Sequence, residues 1–134
     1  MHARFSVVLA VLIASASQCW ALTMKEMQGA WVMDGTDCGD VFEKKGDEIR
    51  FKETDSSLDT GLIVTGDKVQ AATSTCTVAK LREESDHFSV LLNCADTVLS
   101  SSASMSFRMV DATHFERFDP SFPDFSIGFS KCSF

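Results

Sequence analysis

The chain of 134 residues carries 19 acidic and 12 basic side chains, a net charge of −7 with histidine neutral. That balance excludes nucleic acid and anionic membrane surfaces as partners, because both select a basic patch. The length suits one domain, and 11 Phe with no Tyr describe an interior that is aromatic and dry.

Arg4 ahead of the apolar run Phe5–Ala14, with small residues leading to Ala21, has the layout of a secretory signal peptide. The run falls short of the roughly 20 apolar residues that span a bilayer. Cleavage after Ala16 and cleavage after Ala21 both satisfy the small-residue rule. The second removes Cys19, leaves an even set of cysteines and is preferred. On this reading residues 1–21 are a leader and residues 22–134 a single β-barrel domain, exported to the periplasm or beyond and not inserted in a membrane.

Thr23 and Glu26 have the spacing of a capping box, so a short N-terminal helical turn is expected before the first strand. Met27–Met33 reads as that strand, opened by Gly29 and Trp31. Asp34, Asp37 and Asp40 lie around two glycines. Turn formation accounts for them without calcium, whose loop needs acids at alternate positions. Two hairpins turn on Gly46-Asp47 and Gly66-Asp67, which sets Phe42 opposite Phe51 and Val64 opposite Val69. The polar stretch Glu53–Thr60 between them is a loop.

A third hairpin folds about Ser85. It puts Cys76 opposite Cys94 and sets Phe88, Val90 and Leu92 on one face. Lys80 falls on that face and Leu81 does not, so a bulge is expected near the turn. From Ser100 the alternation is strict, with Ala103, Met105, Phe107 and Met109 inward and Ser104, Ser106 and Arg108 outward. His114–Phe118 returns, Asp119–Asp124 makes a loop, and Phe125, Ile127 and Phe129 alternate in the last strand. Short strands joined this closely form an all-β, antiparallel up-and-down barrel of about eight strands. Its apolar wall faces inward, and charged and hydroxyl side chains face out.

In an oxidising compartment Cys38, Cys76, Cys94 and Cys132 read as two disulfides. Zinc is the alternative, but the chain has no Cys-x-x-Cys pair. Register pairs Cys76 with Cys94, which leaves Cys38 for Cys132. Barrel closure supports the second pair, since it makes the first and last strands neighbours. Alternation from Phe129 turns Cys132 outward, so that bridge belongs at the rim.

Gly29-Ala30-Trp31 after a short turn resembles the Gly-x-Trp signature that opens lipocalin-like (calycin) barrels. The longer stretch Glu26-Met27-Gln28-Gly29-Ala30-Trp31-Val32-Met33, with Gly35, Cys38 and Val41, resembles the opening of the bacterial periplasmic metalloprotease inhibitors of the Inh type. The resemblance implies a closed lipocalin-like barrel of about eight strands. It also implies an inhibitor that enters a protease cleft with its N-terminus, here Leu22, Thr23 and Met24. That family carries one disulfide, where this chain, with Cys19 removed in the leader, keeps four cysteines for two.

Chemistry is sparsely supplied. No Gly-x-Ser-x-Gly elbow accompanies His87 or His114. His114 and Glu116 share a strand face and could hold a metal, though a solvated face produces the same pair. Glu83, Glu84 and Asp86 fall on a hairpin tip rather than a concave wall. Gly29 and Trp31 read as the structural floor of the barrel. Phe134 matches the last residue of outer-membrane barrels, but Cys132, Ser130 and Gly128 break their alternation. Phe122 and Phe125, large and apolar beside prolines, are candidate contact points for a partner, with packing over the barrel mouth as the other reading. The reading is therefore a non-catalytic protein-binding module without cofactor or metal, in its narrower form an inhibitor of an exported hydrolase. The alternative is a carrier of a small apolar ligand, which needs an interior emptier than so many Phe and Met suggest.

Overall fold

The computed structural model describes residues 24–53 and 60–134. Its elements are β1 (Gly29–Met33), α1 (Cys38–Val41), β2 (Phe42–Lys45), β3 (Glu48–Phe51), β4 (Gly61–Thr65), β5 (Lys68–Gln70), β6 (Thr75–Glu83), β7 (Phe88–Ala95), β8 (Ser100–Asp111), β9 (His114–Asp119) and β10 (Phe122–Lys131). Eight strands close an antiparallel barrel in the order β1-β10-β9-β8-β7-β6-β5-β4. Closure is made by β1 with β10, where Trp31 faces Lys131 and Met33 faces Phe129.

The hairpins fold in the expected register. Phe42 pairs with Phe51, Val64 with Val69 and Cys76 with Cys94. Gly46 and Gly66 both sit at φ 61°, the positive value that a primed two-residue turn needs and that a side chain resists. The bulge in β6 falls between Val78 and Lys80, where the alternation of the sequence slips.

Two features correct the sequence reading. The β2–β3 hairpin is a separate two-stranded sheet rather than part of the wall. It packs on the outer surface, where Val41 and Phe42 meet Ala30, Val32 and Ile63 in a second core. Gly61 makes the approach possible, because a Cβ there would lie 2.7 Å from Val41 Cγ1 and 2.8 Å from Phe42 Cζ. The acidic stretch, expected as a plain turn, contains α1, whose first turn is capped by Asp37 Oδ1 accepting from Gly39 N at 2.7 Å. The expected N-terminal turn is present at residues 24–27, closed by Gln28 N donating to Lys25 O at 3.4 Å. Thr23, the other half of the expected capping box, lies outside the described residues.

The inner core is aromatic. Trp31 meets Phe115 edge-on with centroids 4.9 Å apart, and Phe115 stacks on Phe129 at 4.9 Å. Burying each such ring contributes roughly 1.5–3 kcal/mol. Two disulfides staple the structure: Cys76–Cys94 across β6 and β7, and Cys38–Cys132, which ties α1 to the segment after β10. Cys132 packs in the outer core, as its outward position requires. The expectation that hydroxyls face water fails at Ser106, which is 2% exposed. Ser106 lies beside Phe118 on the outer wall, and that ring carries Arg108 over its face at 5.0 Å and His87 against it at 5.3 Å.

Candidate functional site

Strand directions give the barrel two unlike ends. β1 starts, and β10 finishes, at the end that the N-terminal turn closes. There Met24 and Met27 pack on the inner core. Four hydrogen bonds latch the turn. Trp31 Nε1 donates to Met27 O at 2.9 Å. Gln28 Nε2 donates to Met24 O at 2.7 Å and to Gly66 O at 3.0 Å. Gly66 N returns a bond to Gln28 Oε1 at 2.7 Å, so one amide joins the turn to the β4–β5 loop.

Gly29 and Trp31 lie in β1 beside this latch. Gly29 has φ 118°, and a Cβ there would come within 3.2 Å of Lys131 Cε. Lys131 Nζ in turn lies 5.3 Å from the centre of the Trp31 ring. Of the three N-terminal contact residues, Leu22 and Thr23 lie outside the described residues. Met24 plugs the barrel instead of projecting from it.

Beneath the plug is an apolar cavity of about 40 Å³, lined by Met24, Met27, Val64, Leu92, Met105 and Phe107 among others. That is close to the space of one water molecule, whose share of liquid volume is about 30 Å³. A larger open cleft of about 630 Å³ runs between the N-terminal turn and the β8–β9 hairpin. Lys25 and Lys131 share its lining with Glu26 and Asp111, so it carries no net charge.

On the outer wall Asp34 joins residues far apart in sequence. Its Oδ2 meets His114 Nε2 at 2.7 Å, and its Oδ1 accepts from Ser130 Oγ at 2.8 Å. The carboxyl is held below its ordinary value of 3.8, chiefly by the Ser130 hydroxyl and then by His114. Gly128 leaves the room it occupies, since a Cβ there would lie 2.0 Å from Asp34 Oδ2. Ser, His and Asp thus assemble, but the hydroxyl donates to the carboxylate and not to the imidazole. A nucleophile and its base need the opposite arrangement. Glu116 bonds Arg108 Nη2 at 2.9 Å rather than sharing a ligand with His114.

Phe122 and Phe125 lie at the other end. The expected loop before the last strand is shorter than drawn, for only Pro120 and Ser121 separate β9 from β10. Phe122 and Phe125 consequently sit on a strand, 63% and 79% exposed. Sequence reasoning missed Gln28 and the Asp34–His114–Ser130 cluster. The second left no local signal, since Gly128 stands on the outward row with Ser126 and Ser130 and leaves the alternation of Phe125, Ile127 and Phe129 intact.

No protein-family model, curated protein or solved structure matches this chain. The barrel is defined by its own strand order and register.

Proposed function

We propose that this is an exported, non-catalytic protein-binding module that meets its partner through Phe122 and Phe125. The observation that carries the reading is the exposure of two phenylalanines in β10, Phe122 opposite Asp119 and Phe125 in the bulge that follows. Aromatic side chains held rigidly are the residues that dominate protein interfaces. Export is supported by the leader-like residues 1–21 and by two disulfides, which persist in oxidising compartments. The carrier alternative needs an interior cavity of about 300–1,000 Å³, whereas the one beneath the plug holds about 40 Å³.

The narrower form is an inhibitor of an exported metalloprotease. It rests on the likeness of Glu26–Val41 to the Inh-type opening, and it assigns the protease cleft to Leu22 and Thr23, ahead of the plugged Met24. Capture from periplasmic extract tests the general reading. A protein retained by the wild type and lost from Phe122→Ser/Phe125→Ser supports it, and equal retention by both refutes it. The narrower form is tested by inhibition of a serralysin-type metalloprotease. Deleting Leu22 and Thr23 should abolish inhibition at unchanged melting temperature, and no inhibition by the intact protein ends that form.

A further inference from the structure

Building on the protein-binding reading, we propose that the barrel end opposite the plug docks on a cationic protein surface that offers an apolar recess. The β7–β8 and β9–β10 turns both open at this end, because β7 and β9 run in the same direction. Val98 is 82% and Leu99 69% exposed on the first turn, and Phe122 and Phe125 project from the second.

Both turns are preformed by acids. Asp96 Oδ1 accepts from Val98 N and Leu99 N at 2.7 Å each, and Asp119 Oδ1 accepts from Ser121 N at 2.8 Å. A partner therefore meets side chains on ordered backbone, which lowers the entropy lost on binding.

Charge selects the partner. From Asn93 to Phe107 and from Phe118 to Ser130 the chain holds Asp96, Asp119 and Asp124 but no Lys or Arg. Asp37 and Asp40 follow β1, which finishes at the same end, and both are exposed. Two cations, Lys52, whose Nζ is bonded to Gly39 O, and Arg117, on the inward row between Phe107 and Ile127, stand against these five acids. Acids around apolar anchors favour a basic surface and repel a second copy of this chain. Pro123 and Asp124 also guard the β10 edge against strand-to-strand pairing. Binding is thus through side chains, not by adding a strand.

Two synthetic peptides test this, one alternating Lys with Trp and one alternating Glu with Trp, titrated into the isotopically labelled exported protein. The Lys–Trp peptide should bind, shift the amide resonances of both turns and weaken as salt screens the charges. Phe122→Ser/Phe125→Ser should weaken it about tenfold or more, as removal of central anchors does. Asp124→Lys should weaken it about threefold or more, through charge alone. Equal binding of the Glu–Trp peptide, binding of neither, or shifts confined to the plugged end would each overturn the proposal. The two readings fail separately. A captured acidic partner that depends on Phe122 and Phe125 keeps the protein-binding function and removes the basic surface.

Discussion

The two disulfides should differ in what they contribute, and the long one should matter more. Cys38–Cys132 closes a separation of 94 residues, whereas Cys76–Cys94 closes 18. In the chain-entropy description those loops are worth about 4.6 and about 3.2 kcal/mol. Packing acts in the same direction. Cys38 and Cys132 sit against the outer core with Val41 and Phe42, and their bridge ties α1, at the base of the hairpin, to the end of the last strand. The short bridge joins strands that eight register pairs already hold together. The perturbation is to remove each bridge as a pair, Cys38→Ala/Cys132→Ala and Cys76→Ala/Cys94→Ala, so that no lone thiol remains. A difference of about 1.4 kcal/mol at about 4 °C per kcal/mol places the first variant about 6 °C lower in Tm. Thermal unfolding followed by circular dichroism measures it. Hydrogen exchange adds a local readout, since the first variant should lose protection in β2 and β3 before the barrel strands. If the short-bridge variant melts at the same temperature or lower, the loop argument is wrong for this fold.

Gly61→Ala should cost about 1–3 kcal/mol by forcing Val41 and Phe42 off the barrel, the range typical of overpacking. Urea unfolding checks it, and a variant as stable as the wild type would mean that the hairpin does not press on β4. The acid limb of stability should carry the mark of Asp34, whose folded pKa lies below 3.8. A depressed carboxylate adds stability that is fully present above its unfolded pKa and lost as pH falls through the folded one. The stability gap between wild type and Asp34→Asn should therefore stay constant at higher pH and close below 3.8. Unfolding midpoints measured along that range decide it, and a gap that widens on acidification would refute the Ser130 and His114 bonds as its cause.

Register was legible because two-residue turns leave little freedom. A Gly-Asp pair between alternating segments fixes which side chains face each other, and Phe42–Phe51 and Val64–Val69 pair accordingly. The place of the β2–β3 hairpin was not legible from its own residues. Alternation says that a strand has one buried face, not which core buries it. The missing clue lay in β1. Ala30, Trp31 and Val32 are consecutive and all buried, which a strand wet on one side does not show. An apolar run there requires a cover on the outer wall, and the hairpin supplies it. The Asp34 cluster offered no such clue, because its partners stand 80 and 96 residues away with no local spacing to read.

The motif that suggested a family does fold-building work at every position that can be followed. Gly29 admits the Lys131 side chain, Trp31 fills the core and holds the plug, and Cys38 anchors the outer hairpin. Residues occupied in this way constrain architecture and leave function open, which is why the opening stretch speaks for the barrel more directly than for an activity. Function is better sought in residues whose placement the fold does not need. Phe122 and Phe125 meet that condition. Neither belongs to either aromatic core, and both stand in water on a strand whose inward row is already closed by Phe129. Replacing them with serine should leave Tm within about 0.5 kcal/mol equivalent of the wild type, as for surface positions generally. Stability that falls further would give these rings a packing role and return the search to the plugged end.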